Sequence, residues 1–234
     1  MSSNFADSNL PRFQGQATET PATVSENMLD LISSSGREID VFREGVSGNL
    51  QLLSSRNKTP LYFVCCSIFH PNRPDVTLYT GNDRKGKVIG VCSNTRFSDS
   101  ITVGRGNPAH PNSMEWEEVV KVSRDHSSYK FSIWSRAAER RSYSWKRTQD
   151  SNMKGIKSSK LDRRSWKLED DMSGEVVAVF AANGIQKSFK KVGKLRFLVG
   201  EEKVSGEWIL LTWISLYENA RRRALARRDL TWFF

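Results

Sequence analysis

The sequence predicts a mainly β protein: a closed antiparallel β-barrel of about twelve strands around a central apolar C-terminal helix. Three observations predict it. From about residue 49 to 200, short apolar runs alternate with turn residues, a spacing that favours a barrel or a sandwich. Several of these runs alternate apolar and polar residues with period two, as antiparallel strands with one wet face do. Residues 208–217 then have no polar face and run without a break into strong helix formers. A helix apolar on every side must be surrounded. In an all-β chain the natural surround is a barrel wider than the roughly eight strands that fill with their own side chains.

The elements follow in order. Residues 1–45 are polar and rich in Ser, Thr, Asn and Pro, and read as a disordered or loosely structured N-terminal segment with one short helical turn at 28–32. A turn at 45–48 opens a domain expected over 46–230. Leu50 to Leu53 makes a first strand. Residues 61–69 form a nearly continuous apolar run, as expected of a strand buried on both sides, ended by Pro71 and Pro74. Strands at 76–79, 88–92 and 98–103 follow, then a glycine-containing loop from Gly104 to Ser113 and a strand at 116–122.

The later strands alternate more cleanly. Tyr129, Phe131 and Ile133 share one face, with Lys130 and Ser132 on the other. Tyr143 and Trp145 oppose Ser144 and Lys146; Trp166 and Leu168 oppose Lys167; Leu195, Phe197 and Val199 oppose Arg196. A turn at 171–174 leads into a strand at 175–181. The helix is expected over about 206–228, its arginine-rich end emerging into water, where cations suit the negative end of a helix dipole.

Little in the sequence points to catalysis. Cys65, Cys66 and Cys92 are odd in number and irregularly spaced, so they read as free thiols of a reducing, intracellular compartment, with Cys65 and Cys66 on opposite faces of one strand. His70, His110 and His126 lack partners at metal-ligand spacing, so no metal site is expected. No nucleophile elbow, phosphate loop or dinucleotide loop is present, and no cofactor is expected. The acidic clusters Glu117-Glu118, Glu169-Asp170-Asp171 and Glu201-Glu202 read as turn and surface residues. The chain is therefore expected to be a binding protein and not an enzyme. It opens on no secretory signal, and no stretch reaches the length of a membrane span.

Three segments carry a resemblance. Tyr143-Ser144-Trp145-Lys146-Arg147-Thr148, Ser165-Trp166-Lys167-Leu168-Glu169-Asp170 and Gly174-Glu175-Val176-Val177-Ala178-Val179-Phe180, with the apolar helix near the C-terminus, resemble the tubby C-terminal-like superfamily. That group includes the LURP-one-related proteins and the phospholipid scramblases, and the likeness to its fungal members covers about residues 60–228. The resemblance implies a twelve-stranded barrel around a C-terminal helix. For the tubby proteins proper it implies phosphoinositide binding through barrel Lys and Arg. It lends no ligand residue by residue. The scramblase-like calcium-binding acidic stretch is absent, since arginines follow the helix here.

Charge supplies the binding hypothesis. Of the net +10, residues 121–234 contribute 25 Lys/Arg against 13 Asp/Glu, and the first 120 residues sum to −2. A one-sided positive field attracts polyanions. Lys130, Lys146 and Lys167 lie on the polar faces of three strands and form a stripe if those strands pair in order. Arg140, Arg141 and Arg147 flank it, while Arg163 and Arg164 close a basic connecting loop with Lys154, Lys157 and Lys160. Lys187, Lys190, Lys191 and Lys194 make a second cluster. These residues are the candidate ligands of an anionic phospholipid surface, a phosphoinositide above all, each basic residue contributing about 1 kcal/mol near such a membrane. The alternative is a protein-interaction or regulatory adaptor that docks through residues 1–45. Nucleic acid is a further alternative, but Tyr143, Trp145 and Trp166 alternate opposite the lysines, face the core and offer no stacking platform.

Overall fold

The computed structural model describes residues 37–45, 48–67, 73–94, 100–135, 138–148, 164–183 and 190–226. Twelve strands run in chain order: β1 (Glu38–Glu44), β2 (Asn49–Ser54), β3 (Pro60–Cys66), β4 (Val76–Thr80), β5 (Val88–Asn94), β6 (Ser100–Arg105), β7 (Glu115–Lys121), β8 (Ser128–Trp134), β9 (Arg140–Arg147), β10 (Trp166–Asp170), β11 (Val176–Ala182) and β12 (Lys191–Phe197). One helix, α1 (Gly206–Ala226), follows. Each strand pairs antiparallel with its chain neighbours, and β1 pairs with β12 to close the barrel.

Period-two alternation decides which face is inside. Ile39 and Val41, Leu50 and Leu52, Tyr129 and Phe131, Tyr143 and Trp145, and Trp166 and Leu168 all point inward and are buried. What they bury against is α1. All residues from Trp208 to Glu218 are buried, so three turns of helix have no wet side. Contacts come from separate parts of the ring. The Cys92 thiol of β5 lies 3.5 Å from the Leu211 carbonyl. Trp145 of β9 donates its indole N–H to Thr212 Oγ1 at 2.9 Å. The Phe180 ring of β11 meets Trp213 at 4.4 Å between centroids. Close approach on the β5 side requires glycine: a Cβ on Gly90 would sit 2.5 Å from the Gly104 carbonyl and 2.6 Å from Leu211.

Several expectations change. The barrel begins earlier than residue 46, because β1 lies within the segment read as loose. Its inward Ile39 and Val41 alternate with Asp40 and Phe42, but two inward apolar residues in a polar stretch are a short signal. Far from dispensable, β1 closes the ring. It is fastened by Asp40, which is buried yet paired with Lys58 and, at 2.8 Å, with Lys191. Of the apolar run 61–69, β3 takes in residues up to Cys66, and residues 68–69 lie outside the described residues. Val199 falls beyond β12 but still packs on the core. The helical turn expected at 28–32 and the position of His70 lie outside the described residues.

The helix end also differs from expectation. Arg221 does not emerge into water: it is 4% exposed, beside a Glu218 that is fully buried. The three cysteines are unbridged, and adjacent Cys65 and Cys66 differ in burial as opposite faces require.

Candidate functional site at an open barrel seam

The expected lysine stripe exists. Register sets Lys167 directly opposite Lys146, and Lys130 opposite Ser144 one strand further on. Like charges directly opposed destabilise a sheet, and acids between them relieve it. Glu169 lies 2.6 Å from Lys146 and 2.5 Å from Lys167, and Asp171 lies 2.9 Å from Lys130. Burial pushes the Glu169 carboxyl up, but hydrogen bonds from Lys146 and Lys167 outweigh it and hold the group below the usual carboxylate range. The same bond raises Lys146.

The flanking cations are engaged as well. Arg140 binds Glu117 through two N–H donors, at 2.9 and 2.6 Å. Arg141 lies 3.4 Å from Glu139 and 3.7 Å from Asp170. The Arg147 guanidinium sits 4.1 Å over the Trp166 ring. Arg164 donates to the Asn183 carbonyl at 3.0 Å, and Lys191 pairs with Asp40. Lys190 stands just before β12, its carbonyl accepting the Arg43 N–H at 2.7 Å. Arg163 and Lys187, with Lys154, Lys157 and Lys160, lie outside the described residues. The stripe is therefore a ladder of alternating charge, and exposed pairs of this kind contribute little individually.

A different feature breaks the regular surface. β6 and β7 share six paired positions, and β8 and β9 share seven. Between them, β7 and β8 share only two, Val120 with Lys130 and Lys121 with Tyr129. Continuing that register would set Val119, Glu118, Glu117 and Trp116 against Phe131, Ser132, Ile133 and Trp134, and none of these four pairs forms. The ring thus opens into a wedge along four residues of each strand, leaving backbone donors and acceptors without ladder partners. Two adjoining clefts of about 590 and 710 Å³ occupy the opening, the second reaching Ser205 and Trp208 at the start of α1.

The side chains at the wedge invert the usual pattern. On β7, Val119 and Glu117 share the inward parity, since they stand opposite buried Ile101 and Val103. Trp116 and Val120 are left facing out, 51% and 42% exposed, and Trp134 on β8 is 63% exposed. In the sequence Glu118 shares a parity with Trp116, Val120 and Val122, while Val119 shares one with Glu115, Glu117 and Lys121, so neither face of this strand is uniformly apolar. One side chain crosses the opening: Arg140, from β9, reaches Glu117 on β7 while lying 5.8 Å over the Trp134 ring.

At the other end of α1, sequence reading missed a buried polar network. Glu218 accepts from Arg221 at 2.6 and 2.8 Å and from Arg222 at 2.8 Å. Arg222 continues to Asp75 at 2.6 Å and to the Ser67 carbonyl at 2.9 Å. Arg223 Nη1 lies 2.9 Å from both Tyr129 Oη and His126 Nδ1. His126 is thus tied into the packing of the helix end. Among the described residues no cluster of three or more His, Cys, Asp or Glu could hold a metal ion. No described helix is long and apolar enough to cross a membrane. No protein-family model matches this chain, and no curated protein or solved structure matches it.

Proposed function

We propose that this chain is a non-catalytic binding module whose ligand is an extended protein segment, taken at the β7–β8 seam by strand addition. The observation that carries this reading is the seam itself: four residues on each strand pair on their outer side with β6 or β9 but have no ladder partner across the β7–β8 opening, in a barrel whose other strand pairs are joined over longer stretches. An exposed strand edge is a template for another chain, and native proteins normally blunt or cover it. Main-chain bonds to such an edge give affinity, and side-chain pockets beside it give selectivity. Trp116, Val120 and Trp134 supply the apolar contact, as exposed aromatic residues do at binding surfaces. The tubby-like resemblance is supported by the strand number and the enclosed helix, and belongs to the same proposal.

Peptides selected from a displayed random library against the full chain test it. They are expected to shift amide resonances of residues 115–119 and 131–134 and to lose binding to a Trp116→Ser/Trp134→Ser variant. Shifts confined to other strands, or binding indifferent to both tryptophans, would contradict it.

A second reading is electrostatic docking on an anionic membrane surface, favoured by the +10 net charge and by Lys130, Lys146 and Lys167 on one face. Their carboxylate partners reduce what that face offers. Flotation with phosphoinositide-containing vesicles that fades with salt would support this reading.

A further inference from the structure

We infer that the segment taken at the seam is cationic, carrying Arg or Lys at alternate positions, and that Arg140 is the chain's own stand-in for one of those side chains. The inference rests on the strand-addition reading above and adds the chemistry of the partner.

Two arginines show which chemistry the cleft favours. Arg140 lies over the Trp134 ring while both of its terminal nitrogens bond Glu117. Arg105 lies 5.7 Å from the Trp208 ring while bonding Glu115 at 2.5 Å. Each places a guanidinium against an indole and a carboxylate together, combining cation–π attraction with a charge-assisted hydrogen bond. The site is built twice with internal occupants.

The charge balance of the clefts points the same way. Their cations are Lys130, Arg105, Arg140 and Lys203, and every one is held in an ion pair, with Asp171, Glu115, Glu117 and Glu175 respectively. Their carboxylates include Glu118, Glu201 and Glu202, which enter no ion pair among the described residues. An incoming cation therefore finds unmatched acids, whereas an incoming anion finds none of the cleft's cations unmatched. This local acidity sits on a protein of net charge +10, which repels cationic peptides elsewhere. Binding at the seam thus stands out against the rest of the surface. Arg140 also spans the opening, so a strand entering there displaces it from Glu117 and hands that carboxylate to its own side chain.

Three fluorescein-labelled decapeptides test the inference by anisotropy on the full chain: alternating Arg–Val, alternating Gln–Val and alternating Glu–Val. The Arg–Val peptide is expected to bind about tenfold or more tighter than Gln–Val, with Glu–Val weakest. Arg140→Ala is expected to tighten Arg–Val binding several-fold by vacating Glu117. Glu118→Gln/Glu202→Gln, two exposed positions whose change spares the fold, is expected to erase most of the Arg over Gln preference. Equal affinity for Arg–Val and Gln–Val would overturn the cationic partner and leave strand addition standing. Binding of none of the three would overturn both. Tighter binding by a peptide of the chain's own residues 151–163 would place the occupant within this chain and overturn the external partner.

Discussion

Glu218 is the residue on which the buried C-terminal half of α1 turns. A buried carboxylate survives only when paired and hydrogen-bonded, and here two arginines supply three donors. Removing one partner strands the other charge. Glu218→Gln is expected to cost about 3–5 kcal/mol, read from urea unfolding; a loss under about 1 kcal/mol would show that the pair is solvated. The sequence marks this position poorly. Glu218 is the first charge after ten apolar or hydroxyl residues and reads as the point where the helix leaves the barrel. Tyr217, Ala220 and Ala224, spaced along one helical face and all buried, carry the contrary signal. Small residues score weakly on any hydropathy pattern, so that signal is faint. The lysine stripe shows the opposite balance. Period two placed Lys130, Lys146 and Lys167 on one face correctly, but nothing in sequence order announces that Glu169 and Asp171 come between them.

Among the elements, the strands from β8 onward were legible because Tyr129, Phe131, Tyr143, Trp145, Trp166 and Leu168 are large, inward and regularly alternating. The helix was legible because residues 208–217 lack a polar face. β1 was not, because its inward Ile39 and Val41 are set in polar sequence, and the β7–β8 seam was not, because pairing is a property of two strands and not of either alone. The contact between β5 and α1 offers an element-scale test. The carbonyl of Gly104 is backbone and cannot give way to a Cβ at position 90. Gly90→Ala is expected to destabilise by about 1–3 kcal/mol through overpacking, seen as a lowered Tm. An unchanged Tm would mean that the helix does not press on β5 as described.

For the whole molecule, closure depends on acids. Glu38 of β1 bonds Lys194 and Arg196 of β12, and Asp40 bonds Lys58 and Lys191. Burial pushes both carboxyls up, yet the hydrogen bonds from these lysines and the arginine outweigh it and hold both below the usual range. A carboxyl lowered by folding contributes stability that is complete above its unfolded value, about pH 4, and is lost as pH falls through the lower folded value. Thermal melts from pH 7 to pH 2.5 are therefore expected to show Tm falling through the acid range, with Asp40→Asn starting lower and falling less steeply. Parallel slopes for the two proteins would remove Asp40 from the account of closure.

At the same scale, the ring is paired all round except along one wedge. Amide hydrogen exchange of the full chain tests it most directly. The amides of residues 116–119 and 131–134 that point across the seam are predicted to exchange orders of magnitude faster than those bonded between β8 and β9, and to slow when a selected peptide binds. Protection there equal to that of the β8–β9 ladder would mean that the seam is zipped shut, and the docking surface would not exist.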